Sequence, residues 1–379
     1  MVADLKALTG FPPQSVRRLI VKVGSALLVA PEGSVRRAWL ESLVGEIAAR
    51  KAAGQQIVIV SSGAIALGAR RLALPKGGRA TLEDAQAAAA VGQIALSQVW
   101  ADLLGAHDIA AAQMLVTLGD LEDRRRYLNA SATLDRLIGL GVVPVVNEND
   151  SVATEEIRFG DNDRLAARIG QAARADAVVL LSDIDGLYTA NPHSNPDATL
   201  IPLVERIDTA VLGMADANSA SGMGSGGMVS KLQAAQIATG AGAHLAIISG
   251  RIDAPLGHWQ TSGRGTLFRA ASRRGGRKTW LAGRLTVKGK LRVDIGAAEA
   301  LRRGRSLLPA GITASEGRYA RGDVIDILGP DGAVIARGLA QYDSGDAERI
   351  IGKRSDEVAT LLGGTPRAAI VHRDHMVLL

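Results

Sequence analysis

Residues 18–24 read RLIVKVG, a short apolar run rich in β-branched residues that leads straight into Ser25. Continuous rather than alternating hydrophobicity is the mark of a strand covered by helices on both faces. Four more stretches share this texture: QIVIVSSG (56–63), VVPVVNEND (142–150), AVVLLSD (177–183) and HLAIISG (244–250). Between them lie helical patterns, among them SVRRAWLESLVGEIAARKAAG and TLEDAQAAAAVGQIALSQVWADLL, the second opening on Thr81 and Asp84 as a capping pair. Strand and helix alternate, which predicts an α/β architecture with a mainly parallel central sheet.

In such sheets ligands gather at the carboxyl ends of the strands. The polar residues and glycines of this chain collect at those ends: KVGS (22–25), SSGA (61–64), NEND (147–150) and SDIDG (182–186), with FGDND (159–163) read as a hairpin tip entering a helix near Asp163. Farther along, SGMGSGGMVSKLQAA (221–235) places a glycine cluster before Lys231 and a helix-forming run. Glycine-rich backbone and a helix N-terminus suit a phosphate, although neither the P-loop spacing nor the dinucleotide fingerprint is met. The competing reading is a flexible surface loop. Lys22 and Lys231 would place cations on transferring phosphoryl oxygens, which is most of what phosphoryl transfer asks of a protein. The alternative for Lys22 is an edge charge snorkelling from a strand.

Asp150, Asp161 and Asp163 are interleaved with Asn147, Asn149 and Asn162. An amide can donate to an α-carboxylate and an Asp can pair with an α-ammonium, so the set suits an amino-acid substrate. Asn and Asp are also ordinary turn residues. Six histidines lie scattered without metal-ligand spacing. Ser62 has no partnered histidine and no G-x-S-x-G context, so Ser62 and Gly63 read as substrate contacts at a helix N-terminus rather than as a nucleophile site.

Composition sets the frame for these sites. The 379 residues suggest two domains, with no run approaching the roughly 18 consecutive apolar residues of a membrane span. Zero cysteines exclude disulfides, thiolate metal sites and a cysteine nucleophile, in keeping with a cytoplasmic protein. Net charge is +6, and the excess is C-terminal: residues 264–379 carry 21 Lys and Arg against 12 Asp and Glu. The segment 264–292 has ten basic residues and no acidic one, which reads as a solvated linker or as an electrostatic footprint for nucleic acid. Beyond residue 280 short strand-like pieces alternate with Arg-Gly-Asp and Pro-Asp-Gly turns, so the tail is expected to be a small β-rich domain.

The ordered set VKVGS (21–25), IVSSGAIALG (59–68), VGQ (91–93), AQMLVT (112–117), VVPVVNENDSVAT (142–154), GDND (160–163), SDIDGLYTANP (182–192) and GSGGMVSKLQAA (224–235) resembles the glutamate 5-kinase branch of the amino-acid kinase family. SLLPAGI (306–312) and GRYARGDVIDI (317–327) are similar to the PUA domain, an RNA-associated β-barrel module. The resemblance implies a three-layer sandwich over residues 1–270 and a PUA-like barrel over 280–379. It implies transfer of the ATP γ-phosphoryl group to the side-chain carboxylate of L-glutamate, the first step of proline biosynthesis. Lys22, Lys231 and Asp163 would be catalytic; Ser62, Asn147, Asp150 and Asn162 would hold glutamate. The nucleotide would meet Lys22, Ser182, Asp183 and the loop Ser225, Gly226, Gly227, Met228, Val229, Ser230 and Lys231. Mg²⁺ would lie at Asp161 and Asp163. L-Proline as a feedback inhibitor, a homodimer or homotetramer, and RNA at the C-terminal domain complete what the resemblance implies. Ser182 stands where many relatives place Thr, and Ala112 stands where Gly often precedes Gln113, which weakens a role for Gln113. Two other readings are open: another amino-acid kinase, acting on N-acetylglutamate or aspartate, and an RNA-binding protein, for which the 3% aromatic content offers few stacking platforms.

Overall fold

The computed structural model describes residues 8–30, 33–152, 161–192, 194–217, 227–270, 287–362 and 369–378. Two compact units divide the chain, Met1–Arg273 and Arg274–Leu379.

The first unit is built on eight strands: β1 (Arg18–Val23), β2 (Gln56–Ser61), β3 (Ala111–Val116), β4 (Val143–Glu148), β5 (Ala177–Ser182), β6 (Leu203–Val204), β7 (His244–Ser249) and β8 (Thr266–Phe268). Their spatial order is β3-β4-β2-β1-β5-β7-β8-β6. All neighbours run parallel except β7 and β8. Side-chain alternation explains why the strands are apolar throughout: Leu19, Val21 and Val23 enter one core, while Ile20 enters the other. Helices therefore cover both faces, giving three layers.

The helices used below are α1 (Arg37–Ala52), α2 (Ala64–Arg71), α3 (Leu82–Gly105), α4 (Arg124–Gly139), α5 (Asp161–Ala172), α6 (Thr209–Ala217), α7 (Met228–Gly240) and α8 (Pro255–Ser262). Thr81 caps α3 by accepting from the Asp84 N–H at 3.1 Å, a bond that satisfies one of the orphan donors of the first turn. Among the described residues α3 is the one helix long and apolar enough by composition to cross a membrane. Its Ala88, Leu96, Trp100 and Leu104 are buried, and Trp100 Nε1 donates to Ser61 Oγ at 2.9 Å, so here it serves as a core helix. α2 and α3 approach at glycines: a Cβ on Gly68 would lie 1.8 Å from the Ala88 carbonyl oxygen, and one on Gly92 would lie 1.8 Å from that of Ala64. Any side chain at either position would force the helices apart.

Three details differ from the sequence reading. The helix expected from about Asp163 begins at Asp161, so residues 161–163 of the expected hairpin tip are helical, while residues 159–160 lie outside the described residues. β3 is an edge strand with alternating exposure, so it lacks the continuous burial by which the other strands were read. β6 and β8 are only two and three residues long, too short for a periodic signal.

The second unit has a five-stranded sheet: β9 (Gly289–Val293), β10 (Ile312–Glu316), β11 (Val324–Leu328), β12 (Val334–Leu339) and β13 (Met376–Leu378), in the order β10-β9-β11-β12-β13. β9 and β11 are parallel and the other pairs antiparallel. The Pro-Asp-Gly segment turns β11 into β12, with Gly332 at φ 83°, a left-handed conformation that favours glycine. Leu291, Val293, Ile325, Ile327 and Ala336 form a core of their own.

Candidate active site

β1 lies at the centre of the sheet with β2 on one side and β5 on the other, and its Lys22 pairs in register with Val60 and Leu180. The strand's alternation sends Lys22 to the face shared with Ile20, where α5 and α7 pack. Asp163, in the first turn of α5, meets it there. Lys22 Nζ lies 2.6 Å from Asp163 Oδ1 as an ion pair outside hydrogen-bond geometry, and Lys231 Nζ, in the first turn of α7, donates to Asp163 Oδ2 at 3.0 Å. All three residues are buried, at 7%, 1% and 8% exposure. Burial alone would push the Asp163 carboxyl up; Lys22 and then Lys231 outweigh it and hold its pKa below the usual carboxylate range. Two cations around one anion leave an excess positive charge in a buried place, a cost that an anionic ligand would relieve.

Beside this trio, Asn162 points to the neighbouring strand ends. Its Nδ2 donates to Ser62 Oγ at 2.7 Å and to Asn147 Oδ1 at 3.3 Å. Asn147 is 2% exposed; its Oδ1 also accepts from the Glu148 N–H at 2.9 Å, and its Nδ2 donates to Gln93 Oε1 at 2.8 Å. Asn162 Oδ1 is buried and has no hydrogen-bond partner among the described residues. A buried acceptor left open in this way is a place for a ligand's donor. Ser62 Oγ accepts from Asn162, so its proton is available to a carboxylate. Gly63 follows at φ 107° and caps α2, a backbone conformation that glycine adopts without strain.

The other expected residues divide cleanly. Asn149 is a turn residue: its side chain accepts from Ser151 Oγ at 2.7 Å, and its N–H continues the strand pairing to the Val116 carbonyl at 2.9 Å. Asp150 lies in the same turn and faces Arg79, whose guanidinium pKa is lowered by burial and partly restored by the Asp150 charge. Arg79 is thus a cation at the candidate site that residue pattern alone did not single out, because it lies seventy residues away in a loop without a motif. Ser182 and Asp183 close β5 together, Ser182 Oγ donating to Asp183 Oδ1 at 3.0 Å. Gly227 opens α7 with no side-chain cap, and Met228 and Ser230 are buried while Val229 is exposed. The first-turn N–H groups of α7 have no partner within the helix, and a helix end of this kind favours anions. Ser225, Gly226 and the side chain of Asp161 lie outside the described residues. Gln113 sits exposed on the edge strand β3, apart from these groups.

Two features limit what the site can hold. Both oxygens of Asp163 are engaged by ammonium groups, and no cluster of three acidic or imidazole ligands occurs among the described residues, so they do not fit a protein cage for a metal ion. A cavity of about 370 Å³ opens beside Asp183, Tyr188, Ile248, Ser249 and Trp259, and none of the lysine or asparagine residues above lines it.

Comparison with known proteins bears on the whole chain. The model of the amino acid kinase family matches residues 17–249, and the PUA domain model matches residues 289–362. Glutamate 5-kinase of Sphingopyxis alaskensis is 66% identical over 369 residues, covering 97% of this chain and 99% of its own. The enzymes of the same name from Zymomonas mobilis and Novosphingobium aromaticivorans are 60% and 59% identical, covering 97% and 96% of this chain and 93% and 96% of theirs. With the lysine, aspartate and asparagine side chains gathered at the carboxyl edge of a three-layer sheet, this chain belongs to the amino acid kinase family, in its glutamate 5-kinase branch, and carries a PUA domain after the kinase unit.

Proposed function

We propose that this chain moves the γ-phosphoryl group of ATP to the side-chain carboxylate of L-glutamate by charge neutralisation between Lys22 and Lys231. The observation that carries this reading is the buried trio in which one carboxylate fixes two ammonium groups while leaving net positive charge. A carboxylate acceptor is already ionised at neutral pH, so the reaction needs no strong general base. One carboxylate oxygen forms the new bond to phosphorus as the bond to the bridging oxygen of ADP breaks, and ADP leaves with the electron pair. Lys22 and Lys231 offset the charge that spreads over the transferring oxygens, and Asp163 keeps the two cations from drifting apart.

At the neutral end, Ser62 and Asn162 are suited to an α-amino acid: the hydroxyl donates to a carboxylate and the open Asn162 Oδ1 accepts from an ammonium, with Asp150 supplying the opposite charge. Ser182, Asp183 and the first turn of α7 are assigned to the nucleotide. Mg²⁺ belongs to this reading as the counter-ion of the nucleotide phosphates. No step is assigned to the ion, since Asp163 is already occupied by the lysines.

A hydroxamate trap tests the reading. With ATP, Mg²⁺ and hydroxylamine, an acyl phosphate is captured as a coloured hydroxamate while ADP is released. Free L-glutamate should support this reaction well above N-acetylglutamate and aspartate. Activity confined to either of the latter two would replace the substrate assignment with that of another amino-acid kinase.

A further inference from the structure

Gln93 has no part in the reading above, yet it completes the hydrogen-bond chain behind the candidate substrate residues. The chain has a fixed starting point. The Glu148 backbone N–H can only donate, so the atom of Asn147 that faces it must be the carbonyl oxygen. The amide nitrogen of Asn147 then points the other way, to Gln93 Oε1 at 2.8 Å. Gln93 is oriented in turn: its Nε2 donates to Ser97 Oγ at 3.2 Å, while Ser97 Oγ donates to the Gln93 carbonyl at 2.8 Å. At the far end, the Asn147 oxygen obliges Asn162 to present Nδ2, which leaves Asn162 Oδ1 as the open buried acceptor.

The scaffold holds Gln93 rigidly. It follows Gly92, where α3 touches the backbone of α2 so closely that a Cβ would lie 1.8 Å from the Ala64 oxygen. α2 starts directly after Ser62 and Gly63, so Gln93 and Ser62 are tied to one helix contact. Without the Gln93 acceptor, Asn147 would hold an amide donor with nothing to receive it at 2% exposure, and rotating the side chain to find another would break the contacts to Glu148 and Asn162.

We propose that Gln93 is a positioning residue for the amino-acid substrate: it locks the Asn147 amide, and through it the polarity of Asn162, so that an acceptor faces the substrate ammonium. This rests on the assignment of Asn147 and Asn162 to glutamate.

The test is steady-state hydroxamate kinetics on the full chain with Gln93→Met, Gln93→Glu, Asn147→Ala and the Gln93→Met/Asn147→Ala pair, each checked for a cooperative thermal melt. Gln93→Met should raise the glutamate KM about tenfold, the effect of leaving one buried donor unmatched, with kcat and the ATP KM unchanged. Gln93→Glu keeps an acceptor toward Asn147 and should restore most of the glutamate KM. The double variant should be no worse than Asn147→Ala, because Gln93 acts only through that residue. Additive effects in the double variant would overturn the proposal, as would an unchanged glutamate KM in Gln93→Met beside a raised one in Asn147→Ala. An unchanged glutamate KM in Asn147→Ala would remove the substrate assignment itself, and the proposal with it. Gln93→Ala repeats the measurement should the methionine variant not fold.

Discussion

Lys22, Asp163 and Lys231 meet as full charges with both carboxylate oxygens engaged, whereas Ser62, Asn147 and Asn162, the last of them next to Asp163 on α5, meet as neutral dipoles and leave one carbonyl oxygen open. Both groups lie at the same sheet edge, and all of their residues are buried except the half-buried Asn162. The difference follows from what each has to meet. A migrating phosphoryl group changes its charge distribution during reaction, and fixed cations answer that change at no reorganisation cost. The α-ammonium and α-carboxylate of an amino acid keep their charges throughout, so directional hydrogen bonds suffice to hold and select it. Kinetics should separate them: damage to the charged trio should appear in turnover, and damage to the neutral cluster in substrate affinity.

The largest effect is expected at the charged end. Lys231→Ala should lower kcat about 10²–10³-fold, the scale of losing one preorganised electrostatic contact, while ATP affinity changes less. Lys231→Arg should not recover it fully, because a planar fork does not reproduce a compact ammonium. Rapid-quench measurement of ADP formation checks this directly, and a kcat within twofold of the parent would remove Lys231 from the chemistry.

A smaller and differently shaped effect is expected at the neutral end. Asp150→Asn should raise the glutamate KM about tenfold or more and leave the ATP KM nearly unchanged, since Asp150 supplies the one charge there that an ammonium would meet. Arg79 complicates this usefully. Its charge offsets part of Asp150, so Arg79→Gln should lower the glutamate KM if Arg79 only competes with the ammonium, and raise it if Arg79 meets a substrate carboxylate. Equal shifts in both substrates' KM would instead mark the turn as structural.

Much of this division was legible in the sequence. The five continuous apolar runs gave the central strands to within about two residues, because strands covered on both faces have no alternation to blur. Lys22, Asn147 and Asp163 could be placed near one another because parallel strands end on one edge. What pattern could not supply is pairing across the chain: that Asn149 would serve its own turn while Asn147 faced inward, or that Arg79 would approach Asp150. These depend on side-chain directions at strand ends separated by dozens of residues. β3 was missed for a related reason, since an edge strand is half-exposed and resembles a loop in composition.

Removing the second unit should leave both ends of the site unchanged, because every residue assigned to the site lies within Met1–Arg273. A chain ending after Arg273 is expected to fold and to form hydroxamate with the parent's glutamate KM, and the segment from 280 onward to fold without activity. Loss of activity in a truncated chain that still melts cooperatively would show that the C-terminal unit supports the site or an obligatory assembly.

The smallest effect concerns a titrating group far along the chain from either end of the site. His244 starts β7, at the end of the strands opposite Lys22, and its Nδ1 accepts from the Ala270 N–H at 3.1 Å. Burial lowers its pKa from the ordinary 6.5. The unfolded chain therefore takes up a proton near that value which the folded chain refuses, so the stability that His244 contributes is full above pH 6.5 and declines as the pH falls below it. His244→Asn keeps an acceptor near the position of Nδ1 and cannot titrate. Urea unfolding at a series of pH values should show the parent losing stability below pH 6.5 relative to this variant, with a slope no greater than one proton's worth, while the glutamate and ATP KM of the two proteins stay the same. Asp163 cannot mimic the effect, since its pKa is lowered rather than raised and its contribution is lost only when the pH falls below the usual carboxylate range. A parent and variant with the same pH dependence would mean that His244 is protonated as readily in the folded chain as in the unfolded one; a coupled change in KM would mean that the two ends of the strands are not independent.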